Sequence, residues 1–138
     1  MNRADLQELA ELRLSDARTL LAANAFAGAY YLAGYAVECA LKACVAKQIR
    51  EFDFPEKRLV ERSYTHNLAQ LFEVSGIRAL FEEVAADNEA LRFRWNVVRD
   101  WSEASRYDAA TTGQAARDMI AAVGDEESGV LAWLRKHW

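Results

Sequence analysis

Between Thr19 and Val37 the chain runs nineteen residues without a charged side chain. Seven of them are alanine, two are glycine and three are tyrosine, with Asn24 near the start. A segment so apolar on every side belongs either in a bilayer or in the middle of a helical bundle. Its small residues favour close helix packing, and the run passes straight into Glu38 and Lys42 with no flanking loop. The reading is a buried central helix and no membrane span.

What surrounds that helix follows from the rest of the composition. Of 138 residues, 26 are alanine, only 6 are glycine and 1 is proline. Alanine is the best helix former and a poor strand former. A sandwich or barrel needs a turn roughly every 8 to 12 residues, more than so few breakers supply. With 52% hydrophobic residues the chain is too apolar for disorder. The expected class is all-α, one domain over residues 1–138, long enough to hold a core without disulfide or metal staples.

Periodicity places the helices. Asn2 caps a first helix over residues 3–23, with Asp5 favourably placed in its first turn. Asn24 turns the chain into the central helix, residues 25–50. Residues 52–64 hold the only proline, Pro55, and no clean period, so they read as a connection. A short helix follows over 67–74 with Gly76 as its stop. The next spans 78–101, reaching towards Ser105, with a seam of Leu80, Val84, Leu91, Trp95 and Val98. Thr111 and Gln114 form a capping box for a fifth helix, Gly124 ends it, and a last helix covers 125–138. The expectation is an up-and-down bundle of five to six helices.

Charge and cysteines narrow the function. A net charge of -4 confines any nucleic-acid contact to a local basic patch. Cys39 and Cys44 are five apart on one helix, about 500° of rotation, so they point away from each other and share neither a bridge nor a metal. They read as reduced core thiols of a cytoplasmic protein. The charged first eighteen residues read as no signal peptide.

No phosphate-binding glycine loop, dinucleotide fingerprint, His-Glu-x-x-His or Cys/His cluster is present, and neither histidine follows a Glu-x-x spacing. No metal and no cofactor are expected. His137, next to the end, reads as solvated. His66 stands at the mouth of the 67–74 helix, where it serves either as part of a cap or as a proton donor or phosphate contact. Arg92, Arg99 and Arg106 recur every seven residues and share a face if their helix reaches Arg106, drifting only ~20° per heptad. Beside Trp101 and Tyr107 such a row suits phosphate binding with base stacking. The plainer alternative is a solvated face with ion pairs from Glu89 to Arg92 and from Arg99 to Glu103. Arg106 stands apart, next to Tyr107 and Asp108. Glu38, in the most apolar helix, needs a partner, and Lys42 lies one turn on.

Three stretches together resemble the HEPN family (higher eukaryotes and prokaryotes nucleotide-binding domain). Gly28-Ala29-Tyr30-Tyr31-Leu32-Ala33-Gly34-Tyr35, followed by Ala36-Val37-Glu38-Cys39-Ala40-Leu41-Lys42-Ala43, is similar to that family's second helix. His66-Asn67-Leu68-Ala69-Gln70-Leu71 is similar to its His-x-Leu-x-x-Leu element. Trp101-Ser102-Glu103-Ala104-Ser105-Arg106-Tyr107 is similar to its Arg-Tyr signature. The resemblance implies a helical bundle, usually a homodimer. The family's members include metal-independent ribonucleases and toxins paired with a nucleotidyltransferase antitoxin. The ribonuclease motif, Arg-x(4–6)-His, is missing in its usual form: Arg62 precedes His66 with three residues between and Arg58 with seven.

The expected function is therefore binding of a nucleotide or RNA phosphate, within a toxin–antitoxin or stress and defence system. Arg99 and Arg106 would hold the phosphate, Tyr107 would stack, and His66 would add a contact. One alternative is a divergent ribonuclease with His66 and Arg106 as a catalytic pair formed across the fold. The other is a dimerising module that docks a nucleotidyltransferase-type partner through Trp133, Trp138 and the tyrosines of the central helix.

Overall fold

Asn2 starts the first helix with a reciprocal cap: its side chain accepts from the Asp5 amide, and the Asp5 carboxylate accepts from the Asn2 amide at 2.8 Å. In the computed structural model, which describes residues 1–138, α1 then runs Arg3–Ala22. Asn24 makes the tight turn at φ 59°, a left-handed conformation that asparagine tolerates better than most residues. Helix α2, Phe26–Lys47, follows, and twelve of its 22 residues are buried. It packs against α1, α4, α7, α8 and a later 3₁₀ turn, so the uncharged run does occupy the centre. No helix is long and apolar enough to cross a membrane.

The architecture is all-helical, as expected, but more finely divided. The 52–64 connection contains α3, Lys57–Ser63, which buries no residue and so carries no periodic signal. Asn67 caps α4, Leu68–Val74, by accepting from the Gln70 amide, and Gly76 stops it at φ 79°. The helix expected over 78–101 is two helices, α5 Arg78–Ala86 and α6 Glu89–Val98. Asn88 causes the division, because its side chain accepts from the Leu91 amide at 3.0 Å and opens a new helix. The interruption also resets the helical phase. Phe81 and Ala85 face the core in α5, while the predicted seam residues Leu80 and Val84 are exposed.

Beyond α6 the chain forms a 3₁₀ turn, Glu103–Tyr107, rather than continuing as helix. Thr112, not Thr111, caps α7, Gly113–Gly124, and Gln114 donates to Asp118 instead of closing a capping box. The last helix, α8, is only Val130–Leu134. Asp125 explains the shortfall: its carboxylate accepts from the Glu127 and Ser128 amides and the Ser128 hydroxyl, folding the start of that segment into a turn. The chain thus has eight α-helices and one 3₁₀ turn.

A single cluster of 28 buried residues forms the core. Alanines of α1 and α2 pack its one end, and the rings of Phe72, Phe81, Trp95 and Trp133 fill the other. Trp133 is buried there, so it is no surface anchor. His137 is not free in solvent either. Its ring lies 4.3 Å from that of Trp133, and burial with nearby Lys47 and Lys136 holds its pKa below the usual value. Cys39 and Cys44 are buried free thiols, both pushed up to about 11 chiefly by burial.

Candidate functional site

Glu38 projects from the middle of α2 and is 2% exposed. A carboxylate in that setting needs compensation. Its Oε1 accepts from Lys42 Nζ at 2.9 Å, one helical turn on, and also lies 2.9 Å from His66 Nδ1. The opposite ring nitrogen, Nε2, lies 3.2 Å from the Glu103 carboxylate. The chain Lys42, Glu38, His66, Glu103 fastens three elements together: α2, the entry to α4 and the 3₁₀ turn.

Local sequence explains why these groups meet. Asn67 caps α4 and the Thr65 hydroxyl accepts from the Asn67 amide at 3.1 Å, which fixes His66 between two anchored residues. Ser102 caps the 3₁₀ turn through the Ala104 amide and so sets the position of Glu103. Trp101, just before it, is buried against Gly34 of α2, where a Cβ would overlap the indole ring. Glycine is required at that close approach. Tyr31, on the same side of α2, stacks on Trp101 with ring centroids 5.8 Å apart and on Tyr35 with centroids 6.2 Å apart.

At the outer end of the 3₁₀ turn Arg106 is exposed, with its guanidinium 4.9 Å from the centre of the Tyr107 ring. The hydroxyls of Tyr107 and Tyr31 raise the Arg106 pKa above its ordinary value, and a guanidinium is charged at any working pH in any case. Glu103, three residues before Arg106 on the same turn, is engaged by His66. Between the entry to α4 and the start of the 3₁₀ turn opens a cavity of about 220 Å³, lined by Thr65, His66, Asn67, Trp101, Ser102 and Glu103. Glu38 Oε2, Trp101 Nε1 and Ser105 Oγ are buried without a hydrogen-bond partner. All three belong to this junction, and such orphaned groups concentrate where a fold serves something besides its own stability.

The structure brings some predicted residues together and separates others. Glu38, Lys42 and His66 meet in one network. His66 and Arg106 do not touch each other, but are linked through Glu103, three residues before Arg106 on the same turn. The arginine row is not formed, because α6 ends at Val98 and the 3₁₀ turn breaks the heptad phase. Arg92 donates to the Ala85 carbonyl, and Arg99 lines a different cavity with Phe72, Phe81 and Trp95. Neither ion pair of the plainer reading forms: Glu103 goes to His66 and Arg92 to a backbone oxygen. Sequence reasoning missed Glu103, Gly34 and Tyr31 as members of the junction. All three lay inside the motif stretches, but nothing in one-dimensional spacing shows that α2 and the 3₁₀ turn are neighbours.

No group of three or more His, Cys, Asp or Glu side chains is placed to hold a metal ion. In comparison with known protein families, residues 4–136 match the HEPN domain. No curated protein and no solved structure matches the chain.

Proposed function

The chain belongs to the HEPN family over nearly its whole length, and from that premise we propose that it binds the phosphate of a nucleotide or of RNA at the 3₁₀ turn. The observation that carries the reading is Arg106, an exposed and permanent cation lying on the Tyr107 ring beside Tyr31. A guanidinium held on an aromatic face offers charge and donors to phosphate while the exposed ring, 77% accessible, offers a stacking surface to a base. His66 in this reading is a positioning residue. Both its nitrogens face carboxylates, so it clamps the turn to α2 and thereby aims Arg106. Arg99 stands outside this site. The protein acts as one cytoplasmic domain and a homodimer, in a toxin–antitoxin or defence setting.

The test is a titration of a short single-stranded RNA, and of AMP, against the wild-type chain and Arg106→Ala. Loss of a charge-assisted contact worth ~1.5–3 kcal/mol weakens binding by about 10- to 150-fold, and binding falls as salt rises. Equal affinity of wild type and Arg106→Ala overturns the site.

One observation favours a ribonuclease as the second reading. Glu38 orients His66 through Nδ1, and Nε2 points to Glu103, whose side chain is itself partly exposed. A carboxylate-oriented imidazole becomes the arrangement of a general acid or base once its Nε2 is released from Glu103. RNA cleavage without added metal, abolished by His66→Ala, is its expected outcome. RNA left intact by stoichiometric protein removes it. In the docking reading, with Trp133 buried, Trp138 and the half-buried tyrosines of α2 remain as anchors, and Phe52 and Phe54, 97% and 98% exposed, are further aromatics open to a nucleotidyltransferase-type partner.

A further inference from the structure

An apolar groove of about 320 Å³ lies between the start of α1, the end of α2 and α3, apart from the turn that carries Arg106. Its wall is Leu6, Val45, Ala46, Ile49, Val60 and Tyr64, and of these only Val45 is buried. Two polar side chains border it, and both are engaged elsewhere. The Ser63 hydroxyl donates to the Val60 carbonyl at 2.7 Å, and Lys42 donates to Glu38 at 2.9 Å. Five of the ten large hydrophobic side chains that the molecule exposes gather at this end: Met1, Ile49, Phe52, Phe54 and Tyr64. A concentration of that kind marks an interaction site, as singly scattered residues do not.

Ala46 and Ile49 also line a neighbouring cavity of about 630 Å³, whose rim carries Arg3, Arg50 and Glu51. All three are exposed, and neither arginine forms an ion pair within the chain. The nearby Asp5 carboxylate is not part of that rim and accepts from the Asn2 amide at 2.8 Å. The groove thus opens, past two shared residues, into a mouth with two guanidiniums against one carboxylate.

We infer that the groove binds a single-chain anionic amphiphile of the fatty-acid class, its tail along Val45, Ile49 and Val60 and its carboxylate on Arg3 and Arg50. Each part of the ligand answers a part of the wall. The walls are helices, whose backbone groups are bonded within themselves. An extended peptide laid there would leave its own N–H and C=O groups unpaired, whereas an alkyl tail has none to satisfy. The volume is at the small end of ligand cavities, which run from ~300 to ~1,000 Å³, so it takes one chain and not the two of a bilayer lipid. The single positive charge in excess at the mouth matches one carboxylate, which a guanidinium fork can hold by two parallel hydrogen bonds. A neutral alcohol leaves that charge unmatched, and a cationic head is repelled by it.

The experiment follows the Ile49 δ1 methyl, one of three isoleucine δ1 methyls in the chain, in ¹³C-methyl-labelled protein, assigned by its loss in Ile49→Val. The titrants are octanoate, octanol and acetate. Octanoate is expected to shift Ile49 saturably while Ile77 and Ile120, outside the groove and its mouth, stay in place. Octanol, without the charge-assisted contact, binds about tenfold or more weaker, and acetate, without a tail, gives no saturable shift. Arg3→Gln and Arg50→Gln together bring octanoate down to the octanol level. Both residues are exposed and unpaired, so the double variant keeps its fold, which unchanged Ile77 and Ile120 resonances verify. Arg106→Ala leaves the response as in the wild type, because the phosphate site is separate. The inference is overturned if octanoate up to about 10 mM gives no saturable Ile49 shift, if octanol matches octanoate, or if the double variant behaves as the wild type. Equal shifts at Ile77 and Ile120 overturn it too, since they mean a surfactant acting on the whole molecule.

Discussion

In the α1–α2 hairpin the interior is rich in small residues, Ala10, Ala17, Ala29, Ala33 and Ala36 being fully buried with Gly34 among them, beside Leu14, Val37 and Leu41. In the half that follows, from α4 to α8, the interior is filled by Phe72, Phe81, Trp95 and Trp133. Small residues let two backbones run close together for their whole length, and here they accompany helices of 20 and 22 residues. Large rings fill space around a point, and the helices that carry them are short, none longer than 12 residues. The two halves meet where Trp101 lies on Gly34, a large ring against the smallest residue. The polar network of Lys42, Glu38, His66 and Glu103 sits at that same seam. The contact between unlike packing schemes and this polar network therefore share one place in the fold.

The aromatic half is the easier to break. Phe72→Ala removes the ring that touches Phe81, Trp95 and Trp133, and is expected to cost ~3–5 kcal/mol in urea unfolding. A loss below ~1 kcal/mol would mean the rings do not hold the short helices together. At the seam, Gly34→Ala inserts a methyl group where the Trp101 indole lies, and overpacking of this kind costs ~1–3 kcal/mol. Near-ultraviolet circular dichroism should report a displaced Trp101, and the RNA affinity assigned to Arg106 should fall with it. Unchanged spectra would separate the seam from the site.

The smallest effect sharpens the link between the halves. Arg135, which ends α8, holds Glu11 of α1 with its Nη2 2.8 Å from Oε2. The hydrogen bond from Arg135 is the main cause of a Glu11 pKa below 4.5. A lowered carboxylate pKa adds stability that is complete above the unfolded value and is lost as pH falls through the folded one. Glu11→Gln should therefore lower stability by ~0.2–1 kcal/mol at neutral pH, since both side chains are more than a third exposed. The gap between variant and wild type should close as pH is taken from 5 towards 3 (about two decades of protonation). A gap that persists at the acid end would assign the effect to packing instead of charge.

Legibility differed between the halves for the same reason. The α1–α2 hairpin could be read almost to the residue, because the Asn2 cap, the Asn24 turn and the apolar run are local signals. The region from 78 to 107 could not. Its apolar spacing fits one long helix, and the Asn88 cap that divides it competes with a pattern equally well explained without it. Once the phase slipped, Leu80 and Val84 replaced Phe81 and Ala85 in the predicted core, and three arginines were aligned that the chain keeps apart. At the junction, Glu38 and Lys42 are an i,i+4 pair visible in sequence, whereas His66 reaches Glu38 from 28 positions away and Glu103 reaches His66 from 37.

The sequence by itself determined the helical class, the central place of the uncharged run and the family, since each rests on composition, short-range periodicity or motifs of adjacent residues. Tertiary structure alone decided which charges meet. Glu38 is buried by the helices that close around α2, and that desolvation makes a partner mandatory. The partners came from segments whose only common property is where the folded chain puts them.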